Sequence, residues 1–283
     1  MKISLLTDAP KHNLALMKIS SYHKTLGDQI KLNMPLWKAD KRYASILFEW
    51  NRGKYVADIY GGIGMEISND VDSICPNGIY PDYELFQTNF SLGYTYRFCP
   101  RNCSFCKVTE TEKSKEHTSI WTFHKSDFKK ICLLNNNTFF DSRWKETFKE
   151  IWDANLIVRD ENGYDLRLVD EEKATALKKT RWDHGPKFAW DRMEDEEVIL
   201  KGFEEINRVG LKGCTIYVLI GYNTTIEQDI YRCQKIHDLG HNPFPMIYKE
   251  VPVLNKFRRM IYARYYRASG NIEKAWKEYS HGG

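Results

Sequence analysis

No apolar run among the 283 residues is long enough to cross a bilayer, so a membrane-spanning protein is excluded as a reading. The first residues, Met1 to Asp8, form too short an apolar stretch for a signal peptide, and Asp8 interrupts it. A cytoplasmic protein with no membrane partner is expected. No internal repeat or low-complexity tract is visible, which leaves ordinary globular architecture. Strong charge bias is missing too: the net charge of +4 is compatible with an anionic partner without requiring one. The seven cysteines are an odd number in a chain without an export signal, which argues against disulfides and for metal or redox chemistry where cysteines cluster. Only Cys75 falls in the first ~88 residues of a chain long enough for one large domain or two modest ones.

What is present is a sizeable apolar fraction, 42%, with 28% charged and 14% aromatic residues, enough for a substantial core. Residues 1–88 alternate strand and helix signals, the pattern of a parallel sheet. Lys2 to Leu6 reads as a strand, Asn13 to Lys24 has apolar residues close to helical spacing, Gly27 is placed for a left-handed helix cap, and Gln29 to Asn33 reads as a second strand. "ASILFEW" and "VADIYGGIG" are further strand candidates. A loop, "NGIYPDYELF", leads to a second segment, 89–250, with more regular alternation. Its six strand candidates are "LGYTYRF", "KKICLLN", "YDLRLV", "PKFAW", "CTIYVLIG" and "PFPMIYKE". Helices are expected over residues 142–154, 170–179, 194–209 and 225–239, with Gly210 and Gly240 as stops. Six strands with intervening helices suggest a partial (β/α)6 TIM-like barrel, since eight repeats need more chain than ~190 residues usually provide. Residues 251–283 read as a basic, aromatic helical extension.

The stretch "YTYRFCPRNCSFCKV" holds Cys99, Cys103 and Cys106 at C-x3-C-x2-C spacing, with no fourth cysteine nearby. Thiolates suit zinc and iron–sulfur clusters, and a [4Fe–4S] cluster held by three leaves one iron open. A zinc site is the alternative, with a histidine, His117 or His124, or a distant cysteine as fourth ligand.

This loop resembles the signature of the radical S-adenosylmethionine enzymes, with Phe105 as the aromatic residue that usually precedes the last cysteine. The resemblance covers roughly residues 91–250 and implies a partial barrel of the kind the strand count suggests. It implies that Cys99, Cys103 and Cys106 hold a [4Fe–4S] cluster, and that S-adenosylmethionine binds its open iron. Reductive cleavage to a 5′-deoxyadenosyl radical would follow, with abstraction of hydrogen from an unidentified substrate. A one-electron donor of flavodoxin or ferredoxin type is implied as partner. Tyr94, Tyr96, Phe98 and Phe105 would help to shield the cluster.

By the same resemblance, Asn135, Asn136 and Asn137 stand where the methionine amino group is received, unless they form an ordinary turn. Asp165 and Arg167 alternate with leucines on an expected strand, which makes Arg167 a bidentate partner for the methionine carboxylate or a member of a structural ion pair. Asp191 suits ribose hydroxyls or a helix cap. Ile220 and Gly221 would lie against adenine, and Tyr248 closes that pocket or belongs to the core.

Residues 1–88 resemble the Rossmann-like, cobalamin-binding-like domain that precedes many such barrels. The cobalt-ligating motif D-x-H-x-x-G fails, however: around His23, Ser21 and Leu26 occupy the Asp and Gly places. Residual packing or substrate recognition is expected there, and cobalamin is argued against. Methylthiotransferases of this family hold a second cluster on three N-terminal cysteines, so Cys75 alone disfavours sulfur insertion. Cys132 and Cys214 sit on apolar strands as core residues.

Two functions from different classes remain open on the sequence: a radical enzyme of unassigned substrate, and a zinc-stabilised nucleic-acid-binding module. The second draws on Lys256, Arg258, Arg259, Arg264 and Arg267, interleaved with Phe257, Tyr262, Tyr265 and Tyr266. The two converge if the enzyme modifies RNA. An amphipathic helix closing the barrel, with its basic face in solvent, is the simpler account of that tail.

Overall fold

The computed structural model describes residues 1–66, 69–108, 112, 114–160 and 162–281, with only the backbone of Asp160 and His281. The chain is α/β, with parallel strand pairing, and divides into two compact units. The first comprises Met1–Tyr94 and Thr118–Cys132, the second Thr95–His117 and Leu133–Gly283. The strands lie in open sheets, none closed on itself among the described residues.

In the first unit, β1 (Lys2–Thr7) is flanked by β2 (Gln29–Leu32) and β3 (Lys41–Ser45), and β4 (Ile59–Gly61) follows β3. All these pairings are parallel, and Ile3, Leu5 and Leu6 are buried, as expected for a strand covered on both faces. Helix α1 (Leu14–Thr25) starts at Asn13, whose side chain accepts from the Leu16 N–H, and Gly27 follows its end at φ 76°. "ASILFEW" is not a strand throughout. β3 ends at Ser45, because the Asp8 carboxylate takes the N–H groups of Leu47 and Phe48 out of any ladder. Strand β5 (Ser91–Gly93) and its neighbour β6 (Lys130–Leu133) complete this part of the chain.

The glycine turn in "ADIYGGIG" has a packing cause. A Cβ on Gly62 would stand 2.3 Å from the Ile46 carbonyl oxygen, and one on Gly64 would stand 2.9 Å from the same atom. The cavity lined by Leu16, Tyr43, Gly61, Gly62 and Val71 is about 30 Å³, room for little more than a water. His23 is buried, with Nδ1 2.7 Å from Asp28 Oδ2 and Nε2 3.0 Å from the Tyr43 hydroxyl. Both ring nitrogens are therefore engaged. Incubation with hydroxocobalamin followed by desalting is expected to leave no corrinoid absorbance. Stoichiometric retention that His23→Ala abolishes would reverse this and make cobalamin-dependent methyl transfer the leading function.

The second unit alternates helix and strand. Helix α2 (Trp144–Asp153) precedes β7 (Ile157–Asp160), and α3 (Glu171–Lys179) precedes β8 (Arg181–Trp182), which pairs parallel with β7. Strands β9 (Lys187–Ala189), β10 (Thr215–Ile220) and β11 (Asn242–Ile247) form a parallel sheet with β10 central. Helices α4 (Glu196–Arg208) and α5 (Ile226–Asp238) connect them, and α5 opens on a full capping box between Thr225 and Gln228. Gly210 and Gly240 end these helices at positive φ. The tail forms α6 (Pro252–Tyr262) and α7 (Ile272–His281). Leu254, Phe257, Met260 and Ile261 of α6 and Ile272 and Ala275 of α7 belong to the buried core of this unit.

Two strand expectations fail. "YDLRLV" is a 3-10 turn over Leu166–Leu168, because the Asp165 side chain accepts from the Arg167 N–H and bends the chain; the strand is Ile157–Asp160 instead. "LGYTYRF" is a strand only to Gly93, because Asn135 Oδ1 accepts from the N–H groups of Thr95 and Tyr96.

Candidate functional site

The cysteine loop is held from both ends. Asn135 fixes its start: its oxygen accepts from Thr95 and Tyr96, and its amide donates to the Thr95 and Thr138 hydroxyls at 2.8 and 3.2 Å. That uses its hydrogen-bonding capacity, so Asn135 anchors the loop and does not offer itself to a ligand. Asn136 donates to the Arg97 carbonyl at 2.5 Å. The Arg97 guanidinium forms a bidentate pair with Glu112, 2.6 and 2.9 Å, which ties the chain before the cysteines to the chain after them. Between these ties the Cys106 N–H donates to the Cys103 carbonyl at 2.9 Å.

Cys99, Cys103 and Cys106 are half-buried and free of disulfides. Burial pushes the Cys103 thiol up, while the guanidinium groups of Arg167 and Arg192 pull it the other way. Asn137 Nδ2 lies 3.9 Å from Cys99 Sγ and donates to Asp165 Oδ2 at 3.1 Å. Its Oδ1 is buried and has no hydrogen-bond partner. Of the three asparagines, Asn137 is the one whose side-chain oxygen is buried without a partner.

Behind it runs a charged network. Arg101 Nε pairs with Asp165 at 3.2 Å, and Arg167 holds Asp165 through Nε and Nη2 at 2.7 and 3.0 Å. Arg167 Nη1 reaches Asp195 at 2.8 Å, and Asp195 also takes a forked pair from Arg192. Burial works against the charge on Arg167, but Asp165 and Asp195 outweigh it and raise its pKa. Burial likewise opposes ionisation of Asp165, and Arg167 and Arg101 overcome it, lowering its pKa. Arg167 thus shares Asp165 with Arg101 of the cysteine loop and commits three of its five N–H donors to carboxylates of the chain.

Asp191 is not a helix cap. Its Oδ1 accepts from the Leu219 N–H on β10 at 3.3 Å. Burial pushes its carboxyl up, against the opposing pull of that N–H and of Arg232 and Arg167. Ile220 is fully buried in the core with Val218 and Ile216. Gly221 adopts φ 72°, and a Cβ there would meet Leu254 Cδ1 at 2.4 Å.

Next to Gly221, Tyr222 joins two residues that are distant in sequence. Its ring lies edge-on to Phe105 with centroids 5.0 Å apart and to Tyr248 with centroids 4.8 Å apart, and its hydroxyl bonds the Ser104 hydroxyl. Phe105 and Tyr248 are therefore brought together beside Gly221, through a tyrosine that the sequence gave no reason to single out. Arg101, Arg192 and Asp195 were missed as well, since lone charged residues in loops carry no periodic signal. His117 Nδ1 pairs with Asp141 at 2.5 Å. His124 belongs to the first unit, where its Nδ1 lies 2.9 Å from the Ser91 hydroxyl.

Among the described residues, no three His, Cys, Asp or Glu side chains stand gathered as a ready cation site. The donor chemistry nevertheless fits a cluster held by thiolates. Three uncrosslinked cysteines share one short loop, and Asn137, whose amide nitrogen lies 3.9 Å from the Sγ of the first, has a buried, unpartnered amide oxygen. No family model, no curated protein and no solved structure matches the chain.

Proposed function

We propose that the protein is a radical S-adenosylmethionine enzyme. The observation that carries the reading is the C-x3-C-x2-C loop, with all three cysteines free of disulfides and Asn137 beside it, its Nδ2 3.9 Å from Cys99 Sγ and its Oδ1 buried without a partner. A partial (β/α)6 barrel belongs to the same reading, with the parallel sets β7–β8 and β9–β10–β11 as five of its strands. Cys99, Cys103 and Cys106 would hold the [4Fe–4S] cluster, which supplies one-electron reduction of a sulfonium when bound. Asn137 Oδ1 would accept from the methionine amino group. Phe105, Tyr222 and Tyr248 would enclose a planar adenine and exclude water beside it. Arg167 keeps Asp165 and Asp195 in place through three of its five N–H donors, and the two that remain, one on each Nη, would be its means of meeting a substrate carboxylate.

The test is anaerobic reconstitution with iron and sulfide, then dithionite and S-adenosylmethionine. Absorbance near ~400 nm is expected from a thiolate-bound cluster, followed by slow release of 5′-deoxyadenosine without added substrate. Protein that binds S-adenosylmethionine but makes no deoxyadenosine would refute the redox reading. Colourless protein holding stoichiometric zinc would favour the nucleic-acid-binding module instead. The exposed basic and aromatic residues around β11 are what keep that second reading alive.

A further inference from the structure

The second unit carries a row of large exposed side chains that its core does not use. Along β11, Pro243 and Pro245 are buried, while Phe244 and Met246 point out, and Tyr248 just beyond continues the row. These three are 37%, 47% and 43% exposed, and at ~3.3 Å per residue they span about 13 Å. Phe244 stacks on Tyr262 of α6, with centroids 4.6 Å apart and planes at 30°, and the Tyr262 hydroxyl donates to the Pro245 carbonyl at 2.9 Å. The pair is rigid, and Tyr262 is itself half exposed. At the other end Tyr248 meets Tyr222 and, through it, Phe105 of the cysteine loop.

Cations accompany the row. The Lys249 ammonium lies 6.0 Å from the Tyr248 ring, and Arg267 reaches the Asn242 side chain at 3.1 Å where β11 begins. Arg258 lies one helical turn before Tyr262 and holds Glu250 at 3.6 Å. Residues 249–267 contain six Lys and Arg against one acid, Glu250. The core of a protein-docking face is depleted of lysine, whereas here the Lys249 ammonium stands beside the Tyr248 ring. Flat rings with interleaved cations suit a polyanion that also has flat faces.

We propose that this row is a platform for single-stranded nucleic acid. Bases stack on the Phe244–Tyr262 pair, and phosphates lie toward Arg258, Lys249 and Arg267. The strand then runs toward Phe105, which makes a nucleotide the substrate of the cysteine site; this last clause rests on the radical-enzyme reading above.

Binding is measured by fluorescence anisotropy on the full chain free of iron, with labelled oligouridylate, oligothymidylate and a duplex of equal length. Both single strands are expected to bind more tightly than the duplex, and the tighter of the two identifies RNA or DNA as the ligand. Stacking worth ~1–3 kcal/mol per base means that Phe244→Ala with Tyr262→Ala should weaken binding by about 5- to 150-fold. Arg258→Gln should lower the slope of log affinity against log salt by about 0.7, the value for one phosphate on a single strand. Trp121→Ala, an exposed aromatic of the first unit, should change nothing. In the wild type, 4-thiouridine crosslinks should map to residues 242–262, which keeps the test independent of whether the double variant folds. Crosslinks only elsewhere, duplex bound as tightly as single strand, or no binding at about 50 mM salt would overturn the proposal. Because the protein carries no iron in this assay, a failure here leaves cluster assembly and deoxyadenosine release to be judged separately.

Discussion

Replacing any one of Cys99, Cys103 or Cys106 with alanine is expected to reduce the iron retained after reconstitution and desalting to background. A three-thiolate site has no ligand to spare, and no other described cysteine is near enough in sequence to stand in. Cys132, Cys214 and Cys233 are buried. Burial pushes the Cys214 thiol up to about 11 and raises that of Cys233 further, so neither supplies a thiolate at neutral pH. Cys214→Ala is therefore expected to retain iron at the wild-type level, with a stability loss on the order of 1 kcal/mol for the small buried side chain. Iron content and absorbance measured on all four variants decide the matter. Full iron in Cys103→Ala would show that the loop is not the ligand set.

The elements with an unambiguous local code were legible in the sequence. Gly27, Gly210 and Gly240 mark helix ends by their freedom at positive φ, and each stands directly beyond a helix end in the structure. The apolar run of β10 admits only a buried strand, and Thr225 announces α5. Residues 164–169 were not legible, because Asp165 and Arg167 satisfy strand alternation equally well as a cap and a turn. Period-two spacing cannot reveal that a carboxylate will take a backbone N–H two residues on. The same limit hid the end of β5, which Asn135 sets from forty residues away.

In the site, residue type pointed to the cysteines, Phe105, Gly221 and Tyr248, but could not say which groups have capacity left. Asn135, Asn136 and Asn137 look alike in sequence. Only their partners separate an anchor, a tie to Arg97 and an open acceptor. The basic tail divides in the same way: Phe257 and Tyr266 are buried, whereas Tyr262 and Tyr265 are exposed. The tail thus both adds apolar side chains to the core of its unit and bears surface aromatics.

Asp229→Ala is expected to destabilise the protein by about 3–5 kcal/mol, the usual cost of leaving one half of a buried ion pair without its partner. Asp229 and Arg232 are fully buried on α5, and their spacing would ordinarily mark an exposed helix pair. Each does more than neutralise the other. Asp229 accepts from Arg232 at 2.6 Å, from the Thr224 hydroxyl at 2.8 Å and from the Gly221 N–H at 3.0 Å. Arg232 donates to the carbonyls of Trp190 and Leu219 at 2.8 and 2.7 Å. The pair therefore joins the ends of β9 and β10 and fixes the turn that presents Tyr222 to Phe105. A double replacement, Asp229→Leu with Arg232→Met, removes both charges but strands one N–H, one hydroxyl and two carbonyls, so it is not expected to restore the loss. Urea unfolding of the wild type, both single variants and the double variant tests this. A loss below about 1 kcal/mol in Asp229→Ala would mean that the pair is solvated, and a double variant as stable as wild type would mean that the turn is held by something else. Against a total stability of about 5–15 kcal/mol, the expected loss would also loosen the turn enough to separate Tyr222 from Phe105 and Tyr248.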